Sequence, residues 1–343
     1  MKQSLDVIKE KKKRMRPRIA RRIAFAASAT ALGVVAGEVA YVRMTFKLPP
    51  SPSGPTADLE KAAVPTQAKK AHNIVFIGNS TARGVGCSEE NGKHGPMMPR
   101  SCASFIAERL GKDVGWHALS TVGADVPAVC SKHLPEFESL VRRLNADGEC
   151  VDAVVLLTGL NDVKACFLPA DLHFDSRATL PLARHPWRFG EDLETLLHRI
   201  RHVAGDQCTI LVPEEPMADN PRFSSLWPLS SAMRMVSSLW DGQKRQACIR
   251  AAEAMKNTAG QAAFGADKER VPGAPVHAPV KHVPMPRVLG PTCYCIDGMH
   301  PSDSGYKAWG EVLACVLLGD HMEEETSFIP ELGQRIPVLA TPL

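Results

Sequence analysis

Five residues of the chain have types and positions that suit nucleophilic attack on a carbonyl group. Ser80 follows a short apolar run directly, at a point where a turn would expose its hydroxyl group. His300 could accept the proton of that hydroxyl, and Asp297, three residues earlier, could fix the tautomer of the imidazole ring. Asn161 offers a side-chain amide, and Gly123 offers a backbone N–H that no Cβ shields. Together these groups supply a nucleophile, a base, a group that orients the base, and donors for an oxyanion.

Each of these residues also has a simpler interpretation. A serine after a strand is often the N-cap of a helix, and an Asn-Asp pair such as the one at Asn161 is common in turns. Asp297-Gly298 is a common turn pair, and His300 could be an ordinary loop residue. The joint arrangement of these residues, and not any one of them, favours catalysis.

Nucleotide binding is a competing interpretation of the same region, because Gly78, Gly84 and Gly86 follow the apolar run. These glycines lack the Gly-Lys-Ser/Thr ending of a P-loop, and their spacing does not match Gly-x-Gly-x-x-Gly. The Gly-x-Ser-x-Gly elbow of conventional α/β-hydrolases is also missing, because Ala82 stands where that motif needs glycine. The sequence therefore disfavours both alternatives.

Short apolar runs alternate with amphipathic segments from residue 73 onward. The runs predict strands over 73–78, 114–119, 151–157, 208–212 and 283–289, and the segments predict helices over 99–110, 134–144, 189–203, 229–255 and 302–317. Such alternation predicts an α/β fold with a doubly wound parallel sheet, whose ligands bind beyond the carboxyl ends of the strands. Ser80, Gly123 and Asn161 each follow a predicted strand, so we expect them to meet at one edge of the sheet.

Four short blocks resemble those of the SGNH (GDSL-like) hydrolase family, and they span roughly residues 73–319. The blocks are Gly78-Asn79-Ser80, the single Gly123, Gly159-Leu160-Asn161-Asp162, and Asp297-Gly298-Met299-His300 followed by Pro301. One position departs from the family pattern, because Asn79 stands where the family usually has Asp. The segment 212–217, Phe223 and the segment 227–229 are also similar to the substrate-side loop of bacterial members.

This resemblance implies a three-layer α/β/α sandwich of the flavodoxin-like type, with five parallel strands. It implies Ser80 as nucleophile, His300 as base and Asp297 as partner of the base. It also implies an oxyanion hole made by the backbone N–H of Ser80, Gly123 and Asn161, and it implies no metal or organic cofactor.

The activity expected from the resemblance is that of a serine ester hydrolase, which forms an acyl-enzyme on a small-molecule or lipid acyl ester. Two alternatives stay open from the sequence. The first is an acyltransferase or thioesterase that uses the same site. The second is a membrane-tethered binding protein that keeps the fold but has no activity.

The N-terminal part of the chain has its own organisation, which divides into a basic head (1–22), an apolar run (23–42) and a Pro-rich segment (43–70). The 20-residue apolar run after a basic head predicts a single-pass signal anchor with the N-terminus in the cytoplasm. One alternative is a cleaved signal or mitochondrial targeting peptide, which would leave a secreted, lumenal or mitochondrial protein. The other is a merely amphipathic or buried helix. The Pro-rich segment is expected to be a spacer without a fold, followed by the hydrolase domain (71–320) and a C-terminal tail (321–343).

The charge of the chain argues against nucleic-acid binding, and the spacing of its cysteines argues against a zinc site. The stretch from Lys2 to Arg22 has a net charge of +8 and the whole chain +4, so the remainder is slightly acidic, at about −4. Such a body has no electrostatic footprint for nucleic acid. The ten cysteines are irregularly spaced, and Cys293-Tyr294-Cys295 lacks the second pair that a zinc site needs. We therefore expect most cysteines to be small buried side chains.

Overall fold

A six-stranded, mostly parallel sheet forms the centre of the protein in a computed structural model, which describes residues 25, 28–63, 71–167, 185–217, 220–263, 278–286, 289–319, 326–329 and 334–337. The strands are β1 (Ala57–Glu60), β2 (His72–Gly78), β3 (Val114–Ser120), β4 (Val151–Leu157), β5 (Thr209–Pro213) and β6 (Val280–Val283). Their order across the sheet is β1-β3-β2-β4-β5-β6, and every neighbouring pair is parallel except β1 with β3. The predicted α/β fold with five parallel strands is confirmed, and β1 adds an antiparallel edge.

Helices connect the strands and cover both faces of the sheet. After α1 (28–45) they are α2 (Ser80–Arg83), α3 (Glu89–Gly92), α4 (Met97–Leu110), α5 (Val126–Ala128), α6 (Leu134–Ala146), α7 (Leu160–Phe167), α8 (Pro186–Ala204), α9 (Pro221–Ser224), α10 (Leu229–Ala263) and α11 (Asp303–Leu318). A π-helical turn (Val129–His133) joins α5 to α6, and a 3₁₀ turn (Pro291–Cys293) precedes α11.

Each central strand sends alternate side chains into one of two hydrophobic cores, because successive residues of a strand point to opposite faces. In β2, Val75 and Ile77 pack in the core beneath α6, α8 and α10, whereas Ile74 and Phe76 pack in the core beneath α4 and α11. All four side chains are at most 1% exposed. This arrangement explains why the central strands have continuous apolar sequences, and it confirms the three-layer architecture.

The segment 43–70, expected to be a spacer without a fold, contains the edge strand β1. Residues Ala57 to Glu60 pair with His117 to Val114 of β3, and Gly54 donates its N–H to the carbonyl of Gly92 at 2.8 Å. The expectation was wrong for this stretch because an edge strand with one neighbour is held by backbone hydrogen bonds. It needs few apolar side chains, which leaves little pattern in the sequence.

The last parallel strand lies earlier than predicted. We expect a strand at 283–289 from the sequence, but β6 covers Val280–Val283 and pairs with β5. Pro284 and Pro286 follow, and proline has no N–H to donate to a sheet. The strand therefore ends where the prediction begins.

The N-terminal helix α1 contacts the body of the protein through polar groups. The Glu38 carboxylate accepts a hydrogen bond from Leu229 N at 2.9 Å, and the Arg222 side chain donates to the Val42 carbonyl at 3.5 Å and to Thr45 Oγ1. Within the described part of the chain, no helix has both the length and the apolar character that a membrane crossing requires. The predicted span 23–42 begins in residues outside the described ranges, and its orientation stays a prediction.

A two-stranded antiparallel hairpin lies in the predicted tail. Its strands are β7 (Thr326–Ile329) and β8 (Gln334–Pro337), with Thr326 opposite Pro337.

Candidate active site

The turn after β2 presents Ser80 at the carboxyl edge of the sheet. Gly78 ends the strand so close to β4 that a Cβ there would lie 2.0 Å from the Leu157 carbonyl oxygen. Asn79 is extended and caps the short helix α2, since its side-chain oxygen accepts a hydrogen bond from Thr81 N at 2.9 Å. Ser80 is the first residue of that helix, so strand end, cap and helix together fix the direction of its side chain.

The three residues predicted as nucleophile, base and orienting group form one chain of hydrogen bonds. His300 Nε2 lies 2.9 Å from Ser80 Oγ, and His300 Nδ1 lies 2.6 Å from Asp297 Oδ2. All three residues are between 5% and 6% exposed. Because a carboxylate oxygen only accepts, Nδ1 carries the proton in this chain, and the Nε2 lone pair faces the serine hydroxyl.

The loop before α11 holds Asp297 by bonds to its other oxygen. Asp297 Oδ1 accepts from Met299 N at 2.7 Å, from His300 N at 2.9 Å and from Cys295 Sγ at 3.1 Å. Burial by itself raises the pKa of Asp297, but the bonds from the His300 ring and from the two backbone N–H groups outweigh it and bring the pKa to about 2. Asp297 is therefore an anion over the whole neutral range and keeps the imidazole in one tautomer.

Cys295 acts as a thiol donor in this loop. Burial, together with the contact to Asp297, raises the pKa of Cys295 to about 12. Among the described residues, no group of three or more His, Cys, Asp or Glu side chains is placed to hold a metal ion.

The second predicted block, Gly123, lies in a loop that is tied to the nucleophile strand. Thr121 N donates to the Gly78 carbonyl at 3.1 Å, and Ala124 N donates to the Thr121 carbonyl at 3.1 Å. Gly123 has φ +81°, and no heavy atom lies within 4 Å of the position that a Cβ would take. The positive φ favours glycine here, and the open space leaves the backbone accessible to a ligand.

The third block begins α7 and bonds to the Gly123 loop. Asn161 Nδ2 donates to the Ala124 carbonyl at 3.0 Å, and Asp162 Oδ1 accepts from Val126 N at 3.2 Å. An amide has two N–H groups, so the bond to Ala124 orients the side chain of Asn161 and leaves a second N–H. Ser80, Gly123 and Asn161 thus lie on segments that are bonded to one another.

Asp162 is a buried carboxyl group beneath this loop, and it is 3% exposed. Burial raises the pKa of Asp162 to about 7, and the nearby Glu215 carboxylate adds to the rise, whereas the bond from Val126 N opposes it. The group therefore titrates near neutral pH.

Glu215 is a functional candidate that the sequence did not single out. The segment 212–217 resembled a substrate-side loop, but Glu215 is only 3% exposed and points inward. Its carboxylate bonds to Asn79 Nδ2 at 2.6 Å and to Leu160 N at 3.0 Å, which belong to the first and third blocks. The only signal in the sequence is an acidic residue two positions after a buried strand.

Neither a family model nor a curated protein matches the chain. Solved structures with a similar fold include a lipase, Lip_vut3, from the goat rumen metagenome, with a TM-score of 0.45 and 15% identity over 71% of this chain and 96% of that chain. Others are LAE5, an α/β hydrolase from the metagenome of Lake Arreo, with a TM-score of 0.42 and 14% identity over 74% and 99% of the two chains, and an acetylxylan esterase from Geobacillus stearothermophilus, with a TM-score of 0.42 and 12% identity over 74% and 94%.

Proposed function

We propose that the protein is an SGNH-type serine ester hydrolase that works through an acyl-enzyme on Ser80. The observation that carries this proposal is the hydrogen-bond chain from Ser80 Oγ through His300 to Asp297, with donor–acceptor distances of 2.9 and 2.6 Å. Distances of this size are within the reach that proton transfer needs. Nucleophile, base and orienting carboxylate in this order are the arrangement that acyl transfer requires.

In the acylation step, His300 Nε2 takes the proton of Ser80 as Oγ attacks the carbonyl carbon of the ester. The carbonyl electron pair moves to oxygen and forms a tetrahedral intermediate. When this collapses, the ester C–O bond breaks and the leaving alcohol takes the proton from the imidazolium. Water then attacks the acyl-enzyme with His300 again as base, which releases the acid and restores Ser80.

The negative oxygen of the intermediate needs donors that are fixed before the reaction begins. The backbone N–H of Ser80, the backbone N–H of Gly123 and the amide of Asn161 are the proposed donors. The bonds from Asn161 to Ala124 and from Thr121 to Gly78, at 3.0 and 3.1 Å, support this assignment because they hold the loops of the second and third blocks against the nucleophile strand.

The neighbours of the site residues favour an ester with an apolar acyl group. Val122, next to Gly123, is 38% exposed, and Ile296, next to Asp297, is fully exposed. Contact with an apolar acyl chain would remove the surface of these two side chains from water, which is favourable. An ester with an apolar acyl group is the substrate class that we propose.

Hydrolysis of p-nitrophenyl esters of increasing acyl length by the full chain, compared with its Ser80→Ala variant, tests the proposal. We expect turnover by the native chain, a preference for one range of acyl lengths, and no turnover by the variant. Equal rates for the two proteins would refute the role of Ser80. A folded but inactive native chain would refute hydrolysis of simple esters and leave acyl transfer to another acceptor as the explanation.

A further inference from the structure

The Glu215 carboxylate lies between the nucleophile turn and the start of α7. It comes two residues after β5 and is separated from Asn79 by 136 residues of sequence. Oε1 accepts from Asn79 Nδ2 at 2.6 Å and from Thr81 Oγ1 at 3.3 Å, and Oε2 accepts from Leu160 N at 3.0 Å. One side chain thus bonds to residues in two of the four sequence blocks.

The partners of this carboxylate flank the residues that the proposed reaction uses. Asn79 and Thr81 lie on either side of Ser80, and Leu160 directly precedes Asn161. A shift of the Glu215 side chain would therefore move the nucleophile and the oxyanion donor relative to each other. Misplacement by about 1 Å is enough to cost an enzyme roughly 100-fold in rate.

The identity of Asn79 follows from this contact. Its Oδ1 accepts from Thr81 N at 2.9 Å, and its Nδ2 donates to Glu215 Oε1 at 2.6 Å, so the position needs both an acceptor and a donor. Aspartate caps a helix as well as asparagine does, but it has no N–H. An aspartate at this position would place one carboxylate oxygen against another in a site where Asn79 is 0% exposed.

We propose that Glu215 is a positioning residue that holds Ser80 and Asn161 in their reacting arrangement, and that Asn79 replaces the usual aspartate because Glu215 requires a donor. This role rests on the proposed function. Two other buried charged residues interact in this region. The Asp162 carboxyl group interacts electrostatically with Glu215 and with Lys244, and Lys244, which is 2% exposed, donates through Nζ to the Pro213 carbonyl at 3.0 Å.

Exchange of donor and acceptor between the two positions tests the role. Asn79→Asp leaves two acceptors facing each other, and Glu215→Gln leaves either two donors facing each other or Leu160 N without an acceptor. The double variant restores a donor–acceptor pair, because the Gln amide can donate to Asp while its oxygen accepts from Leu160 N. We expect each single variant to lower kcat about 10- to 100-fold with KM changed less than about threefold, and the double variant to regain at least about tenfold.

Thermal unfolding of the native chain, the two single variants and the double variant measures the contact between Asn79 and Glu215 independently of catalysis. We expect the two single variants to lower the melting temperature, and the double variant to lie above the sum of their effects, because the residues contact each other. Glu194→Gln is the control. This carboxylate accepts a hydrogen bond from Arg250 Nε at 2.6 Å and lies outside the site, so its loss should leave kcat unchanged.

The outcomes differ for each part of the proposal. Additive losses in both kcat and melting temperature would overturn the pairing, and a single variant with native kcat would overturn the positioning role. If Asn79→Asp does not fold, Thr81→Val removes only the 3.3 Å bond to Oε1, and a kcat unchanged from the native chain would again overturn the role. The native chain could lack esterase activity while the melting temperatures of the two single variants and the double variant still show coupling. That result would overturn the proposed function and with it the positioning role, but the contact between Asn79 and Glu215 would stand.

Discussion

Replacement of Asp297 by Asn separates the proposed orienting role of the carboxylate from its contribution to stability. Oδ1 of Asp297 faces two backbone N–H groups at 2.7 and 2.9 Å, so an Asn side chain will keep its oxygen on that side. Its NH₂ group then faces His300 Nδ1, where the carboxylate oxygen stood at 2.6 Å. Because an amide NH₂ only donates, Nδ1 must become an acceptor, and the ring proton moves to Nε2.

With the proton on Nε2, His300 can no longer act as the base. Nε2 then carries a hydrogen that points at Ser80 Oγ, and no lone pair is left to accept the serine proton. The equivalent substitution in a Ser-His-Asp triad lowers kcat about 10⁴-fold without disturbing its geometry. We expect a loss of that order for Asp297→Asn, with little change in KM.

The same substitution has a separate effect on stability. The pKa of Asp297 is lowered from 3.8 to about 2 in the folded protein, and such a difference corresponds to about 2.5 kcal/mol. A lowered pKa contributes stability above pH 3.8, and the contribution is lost as the pH falls toward 2. The unfolding free energy of Asp297→Asn should therefore be lower than that of the native chain by about 2 kcal/mol at pH 7, and this difference should shrink below pH 4.

Rates with p-nitrophenyl acetate at pH 7, and urea unfolding at pH 7 and at about pH 2.5, measure the two effects. Asp303→Asn is the control, because the pKa of Asp303 is also lowered, and its carboxylate bonds to Ser88 N and Asn91 Nδ2 instead of a catalytic group. The control should lose stability and keep its activity. Full activity of a folded Asp297→Asn variant would refute the assigned orienting role, and a proton found on Nδ1 by nitrogen NMR would refute the reason given for the loss.

Three further substitutions test other parts of the site. Asn161→Ala should lower kcat about 10²- to 10³-fold, as for other oxyanion donors, and unchanged kcat would place that donor elsewhere. His300→Ala should lose nearly as much activity as Ser80→Ala, and the double variant should lose no more, because such residues act as a unit; multiplied losses would contradict this. Burial raises the pKa of Asp162 from 3.8 to about 7. The fold therefore loses stability as the pH rises from about 4 to 7, because over this range the carboxyl group ionises only in the unfolded chain. Asp162→Asn should therefore raise the unfolding free energy at pH 8 by up to roughly 4 kcal/mol and have no such effect below pH 4, and parallel pH profiles in urea titrations would contradict the burial effect.

The central strands were predictable because their burial on both faces gives each of them a short, mostly apolar run of sequence. Val151–Leu157 was predicted to the residue, since both of its faces enter a hydrophobic core and its sequence is an apolar run that only Asp152 interrupts. Strand β1 has one neighbouring strand and an exposed face. Because backbone hydrogen bonds hold it in place, its sequence contains no such apolar run. The boundary of β6 was misplaced because apolar residues continue past Pro284, where the backbone can no longer pair.

The site also contains residues that their sequence neighbours reveal and residues whose role depends on contacts far away in the sequence. Ser80, Asp297 and His300 could be singled out because their residue types and local turns are typical of this chemistry, and the structure brings them within hydrogen-bond distance. Glu215 could not be singled out, because its role depends on contacts with Asn79 and Leu160, far away in the sequence. No pattern within a few residues of Glu215 predicts which side chains it meets.

Covalent labelling of the full chain with a serine-reactive fluorophosphonate, followed by peptide mass analysis, tests the proposed nucleophile most directly. If His300 activates Ser80, the native chain will take up a single adduct, located on Ser80, and Ser80→Ala and His300→Ala will take up none at the same reagent concentration. A folded native chain that stays unlabelled, or an adduct on a different serine, would contradict the proposed mechanism.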